Sequence, residues 1–352
     1  MNNGSGRRGY FMTRVLLAAL RVQLWLPARV WGEETCPGAS ASFAGGDGSA
    51  DCPYLIETAD HLNNVRYHLS AQFRLIADID LAESDYNEDW TPIGNASAPF
   101  TGKFDGNGKK ILNLTINRPS HERIGLFGQT SSGAVIQNLG LENVSVSAVN
   151  YVGALAGHHS GAIANVYATG TVSGSNAVIG GLAGANYGSI TGSYAAVSVT
   201  GTGVGGLVGG NFGSVADSYA TGSVSGSSPG GLVGGMHGFS SVSNSYATDL
   251  VTGDGDMGGL VGYKDSNSTV TNSYYDRDTT KQSDNEDKGT PKGKSEMWQF
   301  ATYDGWDFDN VWHIHDNHGY PRLRWEQDSW DDYSGFAVEL EEEGSKLYGM
   351  DF

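Results

Sequence analysis

The chain lacks positive charge over a long central stretch: of its 352 residues, none between Gly125 and Gly262 is Lys or Arg. A surface without cations cannot supply the basic footprint that nucleic acid requires, so the sequence predicts no nucleic-acid partner. The stretch also lacks the polybasic segment that attracts proteins to anionic lipid. The formal net charge of −18 therefore comes mainly from the flanking segments.

Several catalytic and membrane signatures are missing as well. No C-x-x-C or H-E-x-x-H motif occurs, so the sequence signs of a redox cysteine pair and of a zinc peptidase are absent. The pattern G-x-G-x-x-G occurs at 201–206 and 253–258, but neither copy opens a helix, and we expect no cofactor. After the N-terminus no apolar run is long enough to span a bilayer, so we expect no membrane insertion of the mature chain.

The N-terminus has the pattern of a secretory signal. Arg7, Arg8 and Arg14 precede an apolar run over 15–26, and small residues lie before a cut at Glu33. We therefore predict a signal peptide over 1–32 and a secreted or cell-surface protein. The alternatives are a disordered N-terminal extension or a start of translation at Met12, since Arg21 and Gln23 interrupt the run.

Only two cysteines are present, Cys36 and Cys52, and both follow the predicted cut. In an oxidising compartment we expect them to form a disulfide that closes a small loop, with two unpaired thiols as the alternative. Four asparagines begin N-x-Ser/Thr triplets and would be glycosylated only in a eukaryotic host. These are Asn95, Asn113, Asn143 and Asn267.

Glycine is abundant, and much of it belongs to one repeated pattern. Six copies of one pattern recur down the middle of the chain: five read Gly-Leu-x-Gly, and the copy at Leu155 reads Ala-Leu-Ala-Gly. Three of them are followed by a turn, a β-branched residue and Ser-Tyr-Ala. The leucines of the six copies are Leu126, Leu155, Leu182, Leu207, Leu232 and Leu260. A fixed period of about 20–50 residues is typical of a solenoid, in which each unit buries its apolar face against its neighbours.

The repeat is built from strands. Each copy holds short alternating apolar runs separated by Gly, Ser and Asn, and it is too short for a propeller blade of about 40–50 residues. We predict an all-β fold, a right-handed parallel β-helix, in which equivalent residues stack inward from coil to coil. The predicted inward ladders are Leu182, Leu207, Leu232; Ile163, Ile190, Val215, Val242, Val270; and Tyr167, Tyr194, Tyr219, Tyr246, Tyr274.

These residues resemble the GLUG repeat, named for its Gly-Leu-x-Gly signature. The resemblance rests on Leu-x-Gly, on Asn186 and Asn211 two residues later, and on Ser-Tyr-Ala in register. Such repeats occur in bacterial surface adhesins, in hemagglutinin-like proteins and beside the catalytic domain of immunoglobulin A1-specific metallopeptidases. The resemblance implies an extracellular β-helix and does not define one activity.

The rest of the chain is predicted to form separate segments before and after the repeat. Residues 33–124 are predicted to form an N-terminal cap and irregular coils, with an amphipathic helix that starts after Thr58 and buries Leu62, Val65 and Leu69. The repeat occupies 125–278. A charged loop and an aromatic C-terminal capping segment follow over 279–325, and 326–352 form an acidic tail that we expect to be solvated and partly disordered.

Two sets of residues are candidate binding sites. Tyr187, Phe212 and His237 occupy equivalent turn positions, and if they face outward they form an aromatic strip that suits sugar rings. If they face inward they belong to the core. His313, His315 and His318 are spaced for a zinc or copper site, with ordinary surface or stacking histidines as the alternative.

The sequence favours a non-catalytic module for adhesion, glycan binding or spacing, with glycans or surface proteins as partners. The first alternative is a polysaccharide lyase or glycoside hydrolase on the same fold, which needs carboxylates facing one groove. Its candidate acids are Asp78, Asp80, Asp105, Asp254 and Asp256. The second alternative is a fragment of a larger adhesin or peptidase.

Overall fold

A computed structural model describes residues 36–284 and 287–326. The predicted signal peptide lies outside this part of the chain, and so does the predicted acidic tail after Glu326. Two short α-helices, Arg277–Thr280 and Lys294–Met297, follow the repeat, and a third, Ala59–Asn64, precedes it. The 3-10 helices are Val65–Tyr67 and Phe300–Thr302.

Strands make up most of the described chain, and nearly all are parallel. One set of six forms a single face of the column. These strands are Phe127–Gln129, Ala156–His159, Ala183–Asn186, Val208–Asn211, Val233–Met236 and Val261–Lys264. A larger set of 18 forms the other faces. Before and within the first repeats it contains Tyr54–Ile56, Gln72–Leu75, Ile79–Asp80, Lys103–Leu112, Thr115–Ile124, Val135–Val152, Ala162–Gly180, Ser189–Thr191 and Tyr194–Gly205. It continues with Ser214–Ala216, Tyr219–Ala220, Ser223–Ser227, Ser241–Ser243, Tyr246–Ala247, Leu250–Asp254, Thr269–Thr271, Tyr274–Asp276 and Thr290–Lys292.

The strand register confirms the predicted solenoid. Equivalent residues of successive coils pair in parallel, so that Ile163 lies beside Ile190 and Ile190 beside Val215. Parallel pairing of this kind requires one full turn of chain between partners, which the repeat length supplies. The fold is therefore an all-β solenoid, while its right-handedness stays a prediction.

The leucine ladder faces the core, as predicted. Leu155, Leu182, Leu207, Leu232 and Leu260 have no exposed surface. Burial of a leucine side chain contributes about 1.5–3 kcal/mol, and the contribution repeats with every coil. The recurrence of leucine in the motif is thus explained by the interior of the column.

The tyrosine ladder (Tyr167, Tyr194, Tyr219, Tyr246 and Tyr274) faces outward, and its predicted inward orientation is wrong. Along each strand the following residue points inward instead, and Ala195, Ala220 and Ala247 belong to the main core. The physical reason is space. A Cβ placed on Gly206 would lie 2.8 Å from the Cβ of Ala220, so the interior at this level accommodates only a small side chain.

Hydrogen bonds between neighbouring coils explain why serine and asparagine also recur in the repeat. Each buried serine before the tyrosine accepts a hydrogen bond from the backbone N–H of the equivalent residue one coil earlier, as in Ser193 N to Ser218 Oγ at 3.2 Å. Asn186 donates from its amide to the Oδ1 of Asn211 at 2.8 Å, and both side chains are buried. Because buried polar groups must be bonded, these ladders fix the coil spacing.

The segment before the repeat contains the expected helix. Thr58 caps it, since its Oγ1 accepts a hydrogen bond from the N–H of His61 at 3.2 Å, and Leu62 and Val65 are fully buried. This confirms the predicted helix start. Protection of the open end of the column by this helix stays a prediction.

Cys36 and Cys52 form a disulfide with a Cα–Cα separation of 5.4 Å. This confirms the predicted bridge. Within the part of the chain that the structure describes, no helix is both long enough and apolar enough to cross a membrane.

Residues 298–326, which we call the C-terminal strap, run along the outside of the tyrosine ladder. Trp306 donates its indole N–H to the carbonyl of Asn272 at 2.8 Å, and Trp325 donates to the carbonyl of Gly192 at 2.8 Å. These contacts lie several coils apart, so the segment covers the side of the column, which an end cap would not do. With Tyr219 and Tyr246, the strap forms a second apolar cluster outside the main core.

Candidate functional site

A row of stacked rings, which we call the outer ring strip, lies on the outside of the column. Its members are His158, Tyr187, Phe212, His237 and Tyr263. Successive ring centroids lie 4.7, 4.4, 4.8 and 5.5 Å apart, and the Tyr187 and Phe212 rings are inclined by only 2°. The structure thus brings together the three predicted residues and adds one ring at each end.

Small residues in the strands make room for these rings. A Cβ on Gly235 would lie 2.8 Å from Nε2 of His237, and a Cβ on Gly210 would lie 3.4 Å from the Phe212 ring. The ring of each coil therefore lies over the small residue two positions earlier. At the two ends, His158 and Tyr263 occupy that strand position themselves. Two aromatics from a second repeat position therefore join the strip, and the turn pattern alone does not reveal them.

The strip presents ring edges to solvent. Tyr187 is 46% exposed and Phe212 is 38% exposed, yet each ring face is covered by the next ring. Ring edges carry a partial positive charge and favour acceptor oxygens and apolar side chains. A sugar cannot lie flat on a face within the strip, so the geometry limits the stacking that the sequence suggested.

The three candidate metal-binding histidines lie on the strap. His313 and His315 approach each other with 3.1 Å between their Nε2 atoms, whereas His318 donates from Nδ1 to the carbonyl of Asp316 at 2.8 Å. Burial, with nearby His315 and Arg324, lowers the pKa of His313 to about 4. No group of three or more His, Cys, Asp or Glu able to hold a metal ion occurs among residues 36–284 and 287–326. The metal site stays a prediction.

Three candidate catalytic acids are bonded to the column. Asp78 accepts a hydrogen bond from the backbone N–H of Lys110 at 2.9 Å, and Asp80 accepts one from the amide of Asn113 at 2.7 Å. Asp105 accepts from Gln137 at 3.1 Å. Such contacts between neighbouring coils are those of structural side chains.

The glycosylation triplets fall in two settings. Asn95 and Asn267 are exposed in loops. The amide of Asn143 donates to Oδ1 of Asn113 at 2.5 Å, so these two belong to a surface ladder between coils.

A groove that the sequence did not suggest lies between the tyrosine ladder and the strap; we call it the flank groove. It consists of two cavities of about 570 and 640 Å³ that share Thr169, Tyr194 and Arg322. The strap brings Arg322 beside repeat coils that have no Lys or Arg of their own, and an earlier coil contributes Lys110. The repeat sequence does not predict these positive charges, because Arg322 and Lys110 belong to segments outside the repeat.

Comparison with known protein families identifies the repeat. The model of "The GLUG motif" matches residues 148–173 and 200–225. The chain carries the GLUG motif. Each matched segment contains one residue of the leucine ladder and one of the tyrosine ladder: Leu155 and Tyr167 in the first, Leu207 and Tyr219 in the second. The family resemblance drawn from the repeat is thereby confirmed.

Two curated proteins are similar in sequence to part of this chain. A protein of Evansella cellulosilytica, provisionally named a Gly-rich membrane protein, is 42% identical over 134 residues, which are 36% of this chain and 16% of that protein. Halomucin of Haloquadratum walsbyi is 41% identical over 150 residues, 40% of this chain and 2% of that protein. The match therefore spans a small part of each relative.

Two solved structures resemble a large part of this chain in fold. The crystal structure of a protein from Bacteroides ovatus, provisionally named an immunoglobulin A1 protease, has a TM-score of 0.65 and 26% identity, and covers 82% of this chain and 97% of that chain. A structure named IgA1 Protease has a TM-score of 0.51 and 24% identity, and covers 62% of this chain and 19% of that chain. The second likeness supports the fold alone.

Proposed function

We propose that this chain is an extracellular, non-catalytic adhesion module that contacts a surface partner through the outer ring strip. The observation that carries the proposal is the row of five stacked rings on the outside of the column. Tyr187, Phe212 and Tyr263 are exposed and the two histidines between and beside them are half-buried, and exposed aromatic rings in a contiguous patch are typical of interaction surfaces. The coils between Gly125 and Gly262 contribute no Lys or Arg, so contact there depends on shape and apolar area.

The geometry of the strip favours a polypeptide partner. Because the ring faces cover each other, the accessible atoms are ring edges at a repeat of 4.4–4.8 Å over the three central rings. Ring edges pack against apolar side chains and approach backbone carbonyl oxygens, both of which a protein surface supplies. The ring faces that a glycan would require are less accessible.

An extracellular location is supported by two independent observations. Cys36 and Cys52 are bridged, and disulfides persist in oxidising compartments. The curated relatives carry names of membrane and mucin-like proteins. Intact-mass measurement of protein recovered from the culture medium, before and after reduction, tests both the location and the bridge.

Adhesion is tested with beads coated with the protein and applied to the outer surface of the producing cells. The cells are used untreated, protease-treated or periodate-treated, so that protein and glycan partners are separated. The double variant Tyr187→Ala, Phe212→Ala should reduce retention at least about tenfold, because truncation of central interface aromatics commonly costs more than 1 kcal/mol each.

The matched control removes two exposed rings outside the strip, Tyr67 and Phe300, by Tyr67→Ala and Phe300→Ala. These rings are 72% and 55% exposed. If beads coated with the strip variant and beads coated with the control variant are retained equally, the strip is not the contact surface. Loss of retention after periodate, but not after protease, would replace the polypeptide partner by a glycan.

A further inference from the structure

The hydroxyl groups of the tyrosine ladder are not equivalent. Three of them donate hydrogen bonds: Tyr167 to Glu142, Tyr219 to Glu326 and Tyr246 to the carbonyl of Pro321. Tyr194, between the first two, has no hydrogen-bond partner for its hydroxyl among the described residues, and it lines both halves of the flank groove. A half-buried hydroxyl without a protein partner is available to a ligand.

Aromatic surface lies directly beside this hydroxyl. The Trp325 ring lies 5.9 Å from the Tyr194 ring, inclined by 26°, and 6.1 Å from the Tyr167 ring. The Trp325 indole is fixed by its hydrogen bond to Gly192 at 2.8 Å. Rigid aromatic walls of this kind suit the apolar C–H faces of sugar rings.

Uncharged polar groups line part of the second cavity. The amides of Asn107, Asn138 and Asn165 follow one another there, and Thr169 adds a hydroxyl shared with the first cavity. Each amide donates one hydrogen bond within the protein. A side-chain amide has two N–H groups and an acceptor oxygen, so further capacity matches the hydroxyl groups of a carbohydrate. Ligand sites of this type measure about 300–1,000 Å³, so two joined cavities suit a short chain of sugars better than a single ring.

The charges of the groove are balanced. Lys110 pairs with Glu142 at 2.9 Å, and Arg322 pairs with Glu326 at 3.8 Å. Each cation therefore has a carboxylate of its own, and the net charge of −18 on the whole chain opposes a polyanion. These observations favour a neutral ligand over an acidic one.

We propose that the flank groove binds a neutral oligosaccharide, with the Tyr194 hydroxyl and the Trp325 ring at its centre. The groove lies on the strap side of the column and shares no residue with the outer ring strip. The proposal therefore stands or falls independently of adhesion through the strip.

The proposal is tested by titration calorimetry of the full chain with neutral hexasaccharides of glucose, mannose, xylose, galactose and N-acetylglucosamine. Hexagalacturonate serves as the acidic contrast, at low and high salt. At least one neutral hexasaccharide should bind, independently of salt. Tyr194→Phe removes only the available hydroxyl and should weaken binding about fivefold, the equivalent of one hydrogen bond.

Two further variants separate binding from folding. Tyr67→Phe removes a hydroxyl at a residue that is 72% exposed and lies outside both the groove and the strip, and this variant should bind as the wild type does. Trp325→Phe keeps a ring but removes the indole, and it should lose any ligand-induced change in tryptophan fluorescence that arises at this residue. Melting curves of all variants establish that they are folded.

Three results would overturn the proposal. One is the absence of binding by every neutral hexasaccharide, and another is unchanged affinity of Tyr194→Phe. The third is preferential, salt-sensitive binding of hexagalacturonate, which would make the groove a site for acidic sugars. None of these results bears on bead retention through the strip.

Discussion

Asp249 is an ionisable residue in an apolar part of the column. Its carboxyl group is fully buried in the column, and neither oxygen has a hydrogen-bond partner among the described residues. Burial raises the pKa of Asp249 well above its usual value. Earlier coils place buried Val144 and Val197 at this level of the strand. The last repeats therefore carry an energetic cost that the earlier ones lack.

Replacement of Asp249 by Val should stabilise the protein by about 2 kcal/mol at pH 7, because an unpaired polar group is exchanged for an apolar one. The gain should shrink toward acid. Since the folded-state pKa is raised, the wild type is least penalised below the unfolded value of 3.8 and loses stability as pH rises. Thermal melts at pH 4 and pH 7 measure both effects.

Asp249→Asn is the control for that experiment. It removes the charge but leaves a buried polar group unbonded, so its stability should lie between wild type and Asp249→Val. If the valine variant melts at or below the wild-type temperature at pH 7, the buried carboxyl group of Asp249 does not destabilise the column.

His159 should make the column sensitive to acid. It is fully buried at the head of the asparagine ladder, beside Asn186, and its Nδ1 lies 2.8 Å from the Thr130 hydroxyl. Burial lowers the pKa of His159 from 6.5 to about 4. The unfolded chain binds this proton more readily, so stability is complete above pH 6.5 and is lost as pH falls toward 4, by about 2 kcal/mol at pH 5.

His159→Asn would extend the ladder of Asn186 and Asn211 by one coil and remove the titrating group. The fall in melting temperature between pH 7 and pH 5 should therefore be smaller in the variant than in the wild type. Parallel pH profiles for the two proteins would show that the acid sensitivity arises elsewhere.

At the scale of elements, the strap depends on one buried indole. Trp312 has no exposed surface and lies 4.5 Å from the Trp306 ring, with Tyr219 and Tyr246 at 6.3 and 6.0 Å. The main core of leucines and valines does not include it. Column and strap therefore have separate apolar clusters and can lose order separately.

Trp312→Ala should cost about 3–5 kcal/mol of strap stability and leave the coils intact. Hydrogen exchange should speed up over 298–326 and remain slow in the strands around Leu207. Phe300→Ala, at a ring that is 55% exposed, is the matched control and should change little. Equal acceleration in strap and column would contradict the separation of the two clusters.

The sequence predicted the buried leucines of the repeat, the disulfide and the start of the helix after Thr58, and it missed the orientation of the tyrosines and the path of the strap. Leucine, serine and asparagine recur because each packs against its own copy one coil away, so one copy explains the others. The orientation of the tyrosines depended on the size of the interior opposite Ala220, which periodicity does not report. The strap contacts were invisible because Trp325 and Gly192 lie 133 residues apart in the chain.

At the scale of the whole molecule, the column carries two ring ladders with similar spacing and different environments. The outer ring strip is open to solvent, whereas the tyrosine ladder is covered by the strap except at the flank groove. The disulfide, the helix after Thr58 and the strap are additions of non-repeating sequence to this column. The two proposed binding surfaces therefore differ in whether repeated or unique residues determine them.

The strap also sets an order of events during synthesis. Coils can stack as they emerge, because each needs only the preceding one. The tyrosine ladder stays uncovered until residues 298–326 leave the ribosome, so the nascent chain exposes these apolar rings up to that point. The aromatic face that ends up beneath the strap is thus an aggregation-prone surface during synthesis.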